Sequence, residues 1–243
     1  MRALRILLIL VVILGGLFVA ADRLAVNFAE GEVADRLRTS EGLSTTPEVS
    51  IHGFPFLTQV AGGTLDEVEV GIQGYEAAAG DGERIRIDDL SATMRGVEFS
   101  GDFGSATAAS ATGTATIAYA ELLKAAKSEP TQVAPGITAR VVSLSDGGNG
   151  KIEVGVEVEA PVIGTERMSV LSTVAVEGDT VEVRTDSLPE LAGLDIAEDS
   201  VREITDFRQA IDDLPGGVAL DRVQAARDGV EISVKGSGVR LAG

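Results

Sequence analysis

The chain has no cysteine, no tryptophan and a single histidine in 243 residues. Without cysteine there is no disulfide framework, no thiol nucleophile and no thiolate metal site. One histidine excludes a multi-histidine zinc site. Aromatic residues make up only 4% of the chain, which weighs against a cleft that stacks on sugars. Basic residues are scarce as well, 20 against 38 acidic ones, for a formal charge of −18. That shortfall argues against nucleic acid, whose binding rests on Lys and Arg neutralising phosphates. It argues equally against simple electrostatic adhesion to an anionic membrane surface. No nucleophile elbow, phosphate-binding loop or dinucleotide fingerprint occurs. A serine triad would need His52, which lies in an extended stretch outside any such motif. Asp88-Asp89 reads as two exposed acids at a strand end, and Asp146-Gly147-Gly148-Asn149-Gly150 as a hairpin turn rather than a calcium loop. No catalytic residue, metal ligand or cofactor site is therefore assigned.

What is present begins at the N-terminus. Arg2 and Arg5 precede an unbroken apolar or glycine run from Ile6 to Ala21, ended by Asp22. Basic residues, then an apolar stretch, then small residues describe an export signal. Val19 and Ala21 would satisfy a small-residue cleavage rule. An uncleaved anchor is the rival, although sixteen helical residues reach only about 24 Å of a hydrocarbon core roughly 30 Å thick. The positive-inside rule then places everything after Asp22 outside the cytoplasm. We expect residues 1–21 to be a signal peptide or membrane anchor and residues 22–243 a single exported domain. Removing the first 21 residues removes two arginines and no acid, leaving 18 basic against 38 acidic residues, a charge of −20.

Beyond the run, residues 22–38 are predicted to be a helix with Leu24, Ala25, Phe28, Val33 and Leu37 roughly on one apolar face. The period then changes to two. Val49 and Ile51, Val68 to Ile72, Ile85 and Ile87, Ile152 to Val158, Val170 to Val176, Val181 and Val183, and Val230 to Val234 alternate with polar residues or glycine. One wet and one dry face suits antiparallel sheets. Glycine-rich breaks at 146–150, 177–179 and 228–229 suit tight turns. A short helix is predicted over Tyr119–Lys127. A second main helix is predicted from the Ser200/Glu203 capping box through Val201, Ile204, Phe207, Ile211 and Leu214 to Pro215-Gly216-Gly217. Residues 128–136, with Pro130 and Pro135, are the best candidate for a hinge or a connection between halves. Two main helices and about nine strands predict an α+β fold: a strongly curved antiparallel sheet wrapped around amphipathic helices.

Two segments stand out as candidate ligand-binding elements. On the strand from Thr107, the odd positions Ala109, Ala111, Gly113 and Ala115 carry almost no side-chain volume. Either a closely packed helix or a ligand must fill that space. In Gly53-Phe54-Pro55-Phe56-Leu57-Thr58-Gln59, two of the seven phenylalanines flank a proline that cannot join a central strand. Such a segment either plugs the core or exposes an apolar tip, as a ligand mouth or a membrane-facing surface.

These residues also carry a family resemblance. V-S-I-H-G-F-P-F-L-T-Q-V at 49–60, L-D-E-V-E-V at 65–70, L-S-A-T-M-R-G-V at 90–97, A-T-I-A-Y-A-E-L-L at 115–123, L-P-G-G-V-A-L at 214–220 and D-G-V-E-I-S-V at 228–234 resemble the LmeA family of actinobacterial phospholipid-binding proteins. The G-F-P-F-L-T-Q stretch is the most specific of these. The resemblance implies a tubular lipid-binding-like fold with a lipid-sized apolar cavity. It also implies an envelope location, phospholipid as partner and a link to lipoglycan maturation, and it brings no catalytic residues. Residues 128–150 match no family motif.

The expected function is thus an exported envelope protein, periplasmic or on the outer face of the plasma membrane, that binds phospholipid without catalysis. The candidate ligand contacts are Phe54, Phe56, Leu57, Ala109, Ala111 and Ala115, and membrane contact comes through the N-terminal segment. The alternatives from other classes are an envelope scaffold whose interior holds only its own side chains, and an envelope hydrolase using unrecognised carboxylates.

Overall fold

The computed structural model describes residues 2–40, 42–78, 84–101, 105–125, 129–161, 164–178, 180–186, 202, 205–210 and 218–242. The fold is α+β, with a long N-terminal helix, curled antiparallel sheet and about 58% strand, consistent with a tubular lipid-binding fold. That strand content is more than twice the globular average, as the alternating pattern requires.

The helices whose bounds lie among the described residues are α1 (Arg2–Ser40), α2 (Phe56–Gly62) and α3 (Tyr119–Ala125). The strands are β1 (Glu48–His52), β2 (Thr64–Ala78), β3 (Arg84–Phe99), β4 (Ala106–Ala118), β5 (Thr131–Ala134), β6 (Ile137–Gly148), β7 (Lys151–Ala160), β8 (Gly164–Glu177), β9 (Thr180–Thr185), β10 (Phe207–Ala210), β11 (Val218–Ala225) and β12 (Gly229–Ala242). They form two six-stranded sheets, β1-β2-β3-β4-β12-β11 and β10-β9-β8-β7-β6-β5. Two compact units result: Met1–Ile72 with Ser91–Thr112 and Gly236–Gly243, and Gln73–Leu90 with Gly113–Lys235.

In the first unit α1 runs without a break through Asp22 and Arg23, where the sequence suggests an interruption. Residues 2–21 are exposed on every side, and Asp22 is the first buried residue. The buried positions of α1 are Asp22, Val26 and Ala34, not the predicted stripe. Leu24 and Phe28 are 71% and 76% exposed. Docking chooses the face here. The backbone N–H of Ile51 donates to Glu30 Oε1 at 2.8 Å, and small Val26 and Ala34 allow close approach. On the far side of this contact β1 pairs with β2 from Glu48–Gly71 to His52–Glu67.

In the second unit β7 is the central strand. Ile152, Val154, Val156 and Val158 are all buried, among Ala139 and Val141 of β6 and Val170 of β8. Val156 is fully buried. Tyr119, Val223 and Val230 join the same core, with Leu122 and Leu123 of α3 packed against it. The Tyr119 hydroxyl donates to the Ala226 carbonyl at 2.8 Å. On the opposite face of β7, Glu157 accepts from Arg140 Nη2 at 2.5 Å and Arg167 Nε at 2.9 Å, its direct neighbours on β6 and β8. These two guanidiniums hold the Glu157 carboxyl below the usual carboxylate range, although burial opposes them.

Two sequence expectations are corrected. Phe207–Ala210 is not helical but pairs antiparallel with β9, from Phe207–Val183 to Ala210–Thr180. A helical bond from Asp206 N–H to the Arg202 carbonyl closes just before it. Asp206 Oδ1 then takes the Thr185 N–H at 2.9 Å, which delivers the following chain to the open edge of β9. That edge offers unpaired backbone groups, and pairing overrides the helical period. Ser200, Val201, Glu203, Ile204 and 211–217 of the predicted segment lie outside the described residues. The candidate hinge at 128–136 instead carries β5 and lies inside the second unit.

Candidate functional site

The G-F-P-F-L-T-Q segment folds into a clip, and each of its letters has a role. Gly53 has φ +101°, and a Cβ there would run into the Gln59 amide and the Asp66 carboxylate. Pro55 is the N-cap of α2, where its missing N–H costs nothing. The Thr58 hydroxyl donates to the Pro55 carbonyl at 2.8 Å. Gln59 spans the clip: its Nε2 donates to the His52 carbonyl at 3.4 Å and its Oε1 accepts the Asp66 N–H at 2.7 Å.

The two phenylalanines take opposite parts. Phe56 is 6% exposed and plugs the core, whereas Phe54 is 57% exposed. Leu57, the next residue of α2, is 38% exposed. The two alternatives left open by the sequence are therefore divided between neighbouring residues.

Asp22 joins this clip to the end of the apolar run. Its Oδ1 accepts the Leu57 N–H at 2.9 Å and its Oδ2 pairs with Arg23 Nη2 at 2.7 Å. Burial pushes the Asp22 carboxyl up, but Arg23 and the N–H groups of Leu57 and Phe56 outweigh it and hold the group below its ordinary value. The Arg23 guanidinium lies 5.3 Å from the centroid of the Phe54 ring, a cation–π arrangement. Sequence reasoning reads Asp22 only as the end of the run, because its partner is 35 residues away and no local pattern marks the pair.

The small-residue strand is β4. Ala111 is buried, Ala115 half-buried and Ala109 exposed, while Ala108, of the opposite parity, is fully buried. Strict alternation therefore fails between Ala108 and Ala111. Gly96 of β3 faces Ala109, and a Cβ there would come within 3.1 Å of the alanine methyl. Phe54, Phe56 and Leu57 are thus gathered in one clip of the first unit. Ala109 and Ala111 lie in the same unit on another strand, and Ala115 belongs to the second unit.

His52 sits on β1 opposite Glu67 and diagonal to Glu69, with donor atoms within 4.8 Å of one another. His52 Nε2 is 3.2 Å from Glu69. The set has ligand types that suit a cation, but Arg95 of β3 already meets the Glu67 charge at 2.5 Å. Asp88 pairs with Arg86 at 3.3 Å, and Asp146 accepts the Gly148 N–H at 2.9 Å, a turn-closing bond.

The clip and most of the sheet strands lie within the stretch that one family, LmeA-like phospholipid-binding, matches, residues 20–235. The chain belongs to the LmeA-like phospholipid-binding family. No curated protein and no solved structure gives a match. The LmeA-like match begins at residue 20, at the end of the apolar run, and so takes in Asp22 together with the clip it holds.

Proposed function

We propose that this LmeA-like protein is an exported envelope protein that shelters phospholipid tails in an apolar interior, without catalysis. The observation that carries the reading is its membership of a phospholipid-binding family across residues 20–235. The helix Arg2–Ser40, long and apolar enough to cross a membrane, supports export and attachment at the envelope. A sixteen-carbon tail exposed to water costs on the order of 12 kcal/mol, at about 0.8 per CH₂. A lipid carrier therefore needs a dry lining rather than a charged patch. The low-volume positions Ala109, Ala111 and Ala115 are the proposed tail contacts, and Phe54 and Leu57, anchored by the buried Phe56, the proposed guard of the entrance. Carrying lipid between sites and supporting lipoglycan maturation are the two roles such binding would serve.

Native mass spectrometry of the full chain, extracted in mild detergent from an envelope-containing host, tests the reading. Phospholipid adducts that survive detergent removal are the expected result. A protein of bare mass under those conditions would overturn it and favour the scaffold with a filled core. Turnover of an envelope substrate that a carboxylate-to-amide scan abolishes would favour the hydrolase.

A further inference from the structure

The apolar run and the clip meet at one point. Residues 2–21 of α1 are all exposed, and the first buried residue is Asp22, with no linker between. Within two residues of that point the chain makes its bonds to the clip, from Asp22 to Leu57 and from Arg23 to the Phe54 ring. Leu24, Phe54 and Leu57 stand uncovered here, beside the exposed Arg23.

We propose that Phe54, Leu57 and Leu24 form a foot that rests in the headgroup layer of the bilayer crossed by α1. The inference rests on the reading of residues 2–21 as a membrane segment. Twenty helical residues span about 30 Å, the thickness of the hydrocarbon core, with Arg2 and Arg5 able to reach the far headgroups. Residues 22–24 then fall in the interfacial layer, roughly 5 Å deep on each side, and the Asp22 bonds hold α2 at the same level. Phenylalanine and leucine side chains insert to that depth, and arginine heads snorkel to it. The Phe54–Arg23 pair supplies both, an apolar ring and a cation that can meet lipid phosphate. A free carboxylate would be repelled there, but the Asp22 charge is spent on Arg23 and the α2 amides. The strongly acidic remainder of the chain does not favour an anionic surface, so the foot works by apolar insertion.

Because the chain has no tryptophan, single substitutions give clean probes. The full chain is reconstituted in phosphatidylcholine vesicles carrying brominated lipid, as Phe54→Trp, Leu57→Trp, Leu14→Trp or Leu171→Trp. Leu171, an exposed leucine of the second unit, is the aqueous control. Shallow bromines are expected to quench most of the emission of Phe54→Trp and Leu57→Trp, deep bromines that of Leu14→Trp, and neither that of Leu171→Trp. The quenching at Phe54 should vanish when detergent dissolves the vesicles. Leu14→Trp quenched with Phe54→Trp and Leu57→Trp no more quenched than Leu171→Trp would overturn the foot alone. Quenching at Phe54 that persists in detergent would assign the residue to a retained lipid and also overturn it. An unquenched Leu14→Trp would overturn the membrane segment and the foot with it.

Discussion

Asp22 accepts the backbone N–H of Leu57 at 2.9 Å and so ties the end of the exposed apolar stretch of α1 to the first turn of α2, where Phe56 is buried. Asn keeps one oxygen for that bond and loses the ion pair with Arg23, whereas Ala loses both. Amide hydrogen exchange at Phe56 and Leu57 should therefore accelerate in the order wild type, Asp22→Asn, Asp22→Ala. The folded carboxyl lies below its ordinary value, so its contribution is present above the usual carboxylate range and is lost as pH falls through the lowered folded value. Equal protection in all three proteins would mean that the clip holds without Asp22.

Phe56 and Phe54 should separate cleanly on substitution. Phe56→Ala opens a cavity in a packed site and is expected to cost about 3–5 kcal/mol in chemical denaturation. Phe54→Ala, on the surface, should change stability by less than about 1 kcal/mol and be felt in lipid occupancy instead. Equal losses of stability would remove the division of labour.

The small residues of β4 make a third test. Ala108→Leu overpacks a fully buried position and should cost about 1–3 kcal/mol. Ala111→Leu with Ala115→Leu should leave a folded protein that copurifies with little phospholipid. Full lipid occupancy in that folded double mutant would place the tails elsewhere, and strong destabilisation would mean that the space is already filled.

Glu157 offers a pH signature in the second unit. Its lowered carboxyl stabilises the fold above the ordinary glutamate range, and that stabilisation disappears as pH falls through the lowered folded value. Glu157→Gln should melt at a lower temperature than wild type at neutral pH, with the gap closing below about pH 4. A gap independent of pH would show that shape rather than charge matters there.

Topology is checked on whole cells. Protease added outside protoplasts should digest residues beyond Asp22. Protection, together with recovery in the cytosolic fraction, would reverse the export reading.

Much of this architecture is legible as period-two alternation. Where side chains alternate strictly, as at Ile152–Val158, the strand and its dry face both follow from the sequence. Where a bulge intervenes, they do not. In β6 the register shifts between Val141 and Ser143, so the apolar positions change parity and Leu144 rather than Ser143 returns to the core side. The shift sits where β7 presents Gly155, at which a Cβ would strike the Ser143 hydroxyl. Short α2 has no full helical period to read, and its start depends on Pro55 and on the distant Asp22. Of the candidate site, the sequence shows that the two phenylalanines matter. It does not show which one is buried, because docking against α1 decides that.

The short strand Phe207–Ala210 has a consequence for solubility. Valine-rich alternating segments are the kind that stack between molecules when an open edge is long and flat. Here the central strands reach sixteen residues in β3, whereas among the described residues the edge strands β1, β5 and β10 have five, four and four, and the fourth edge, β11, has eight. A second molecule finds little ladder to extend at the three shortest margins. Detaching β10 would bare the six residues of β9, Thr180–Thr185, as the new margin. Proteolytic nicking or mutation near Asp206 should then appear first as aggregation, before any loss of the β7 core.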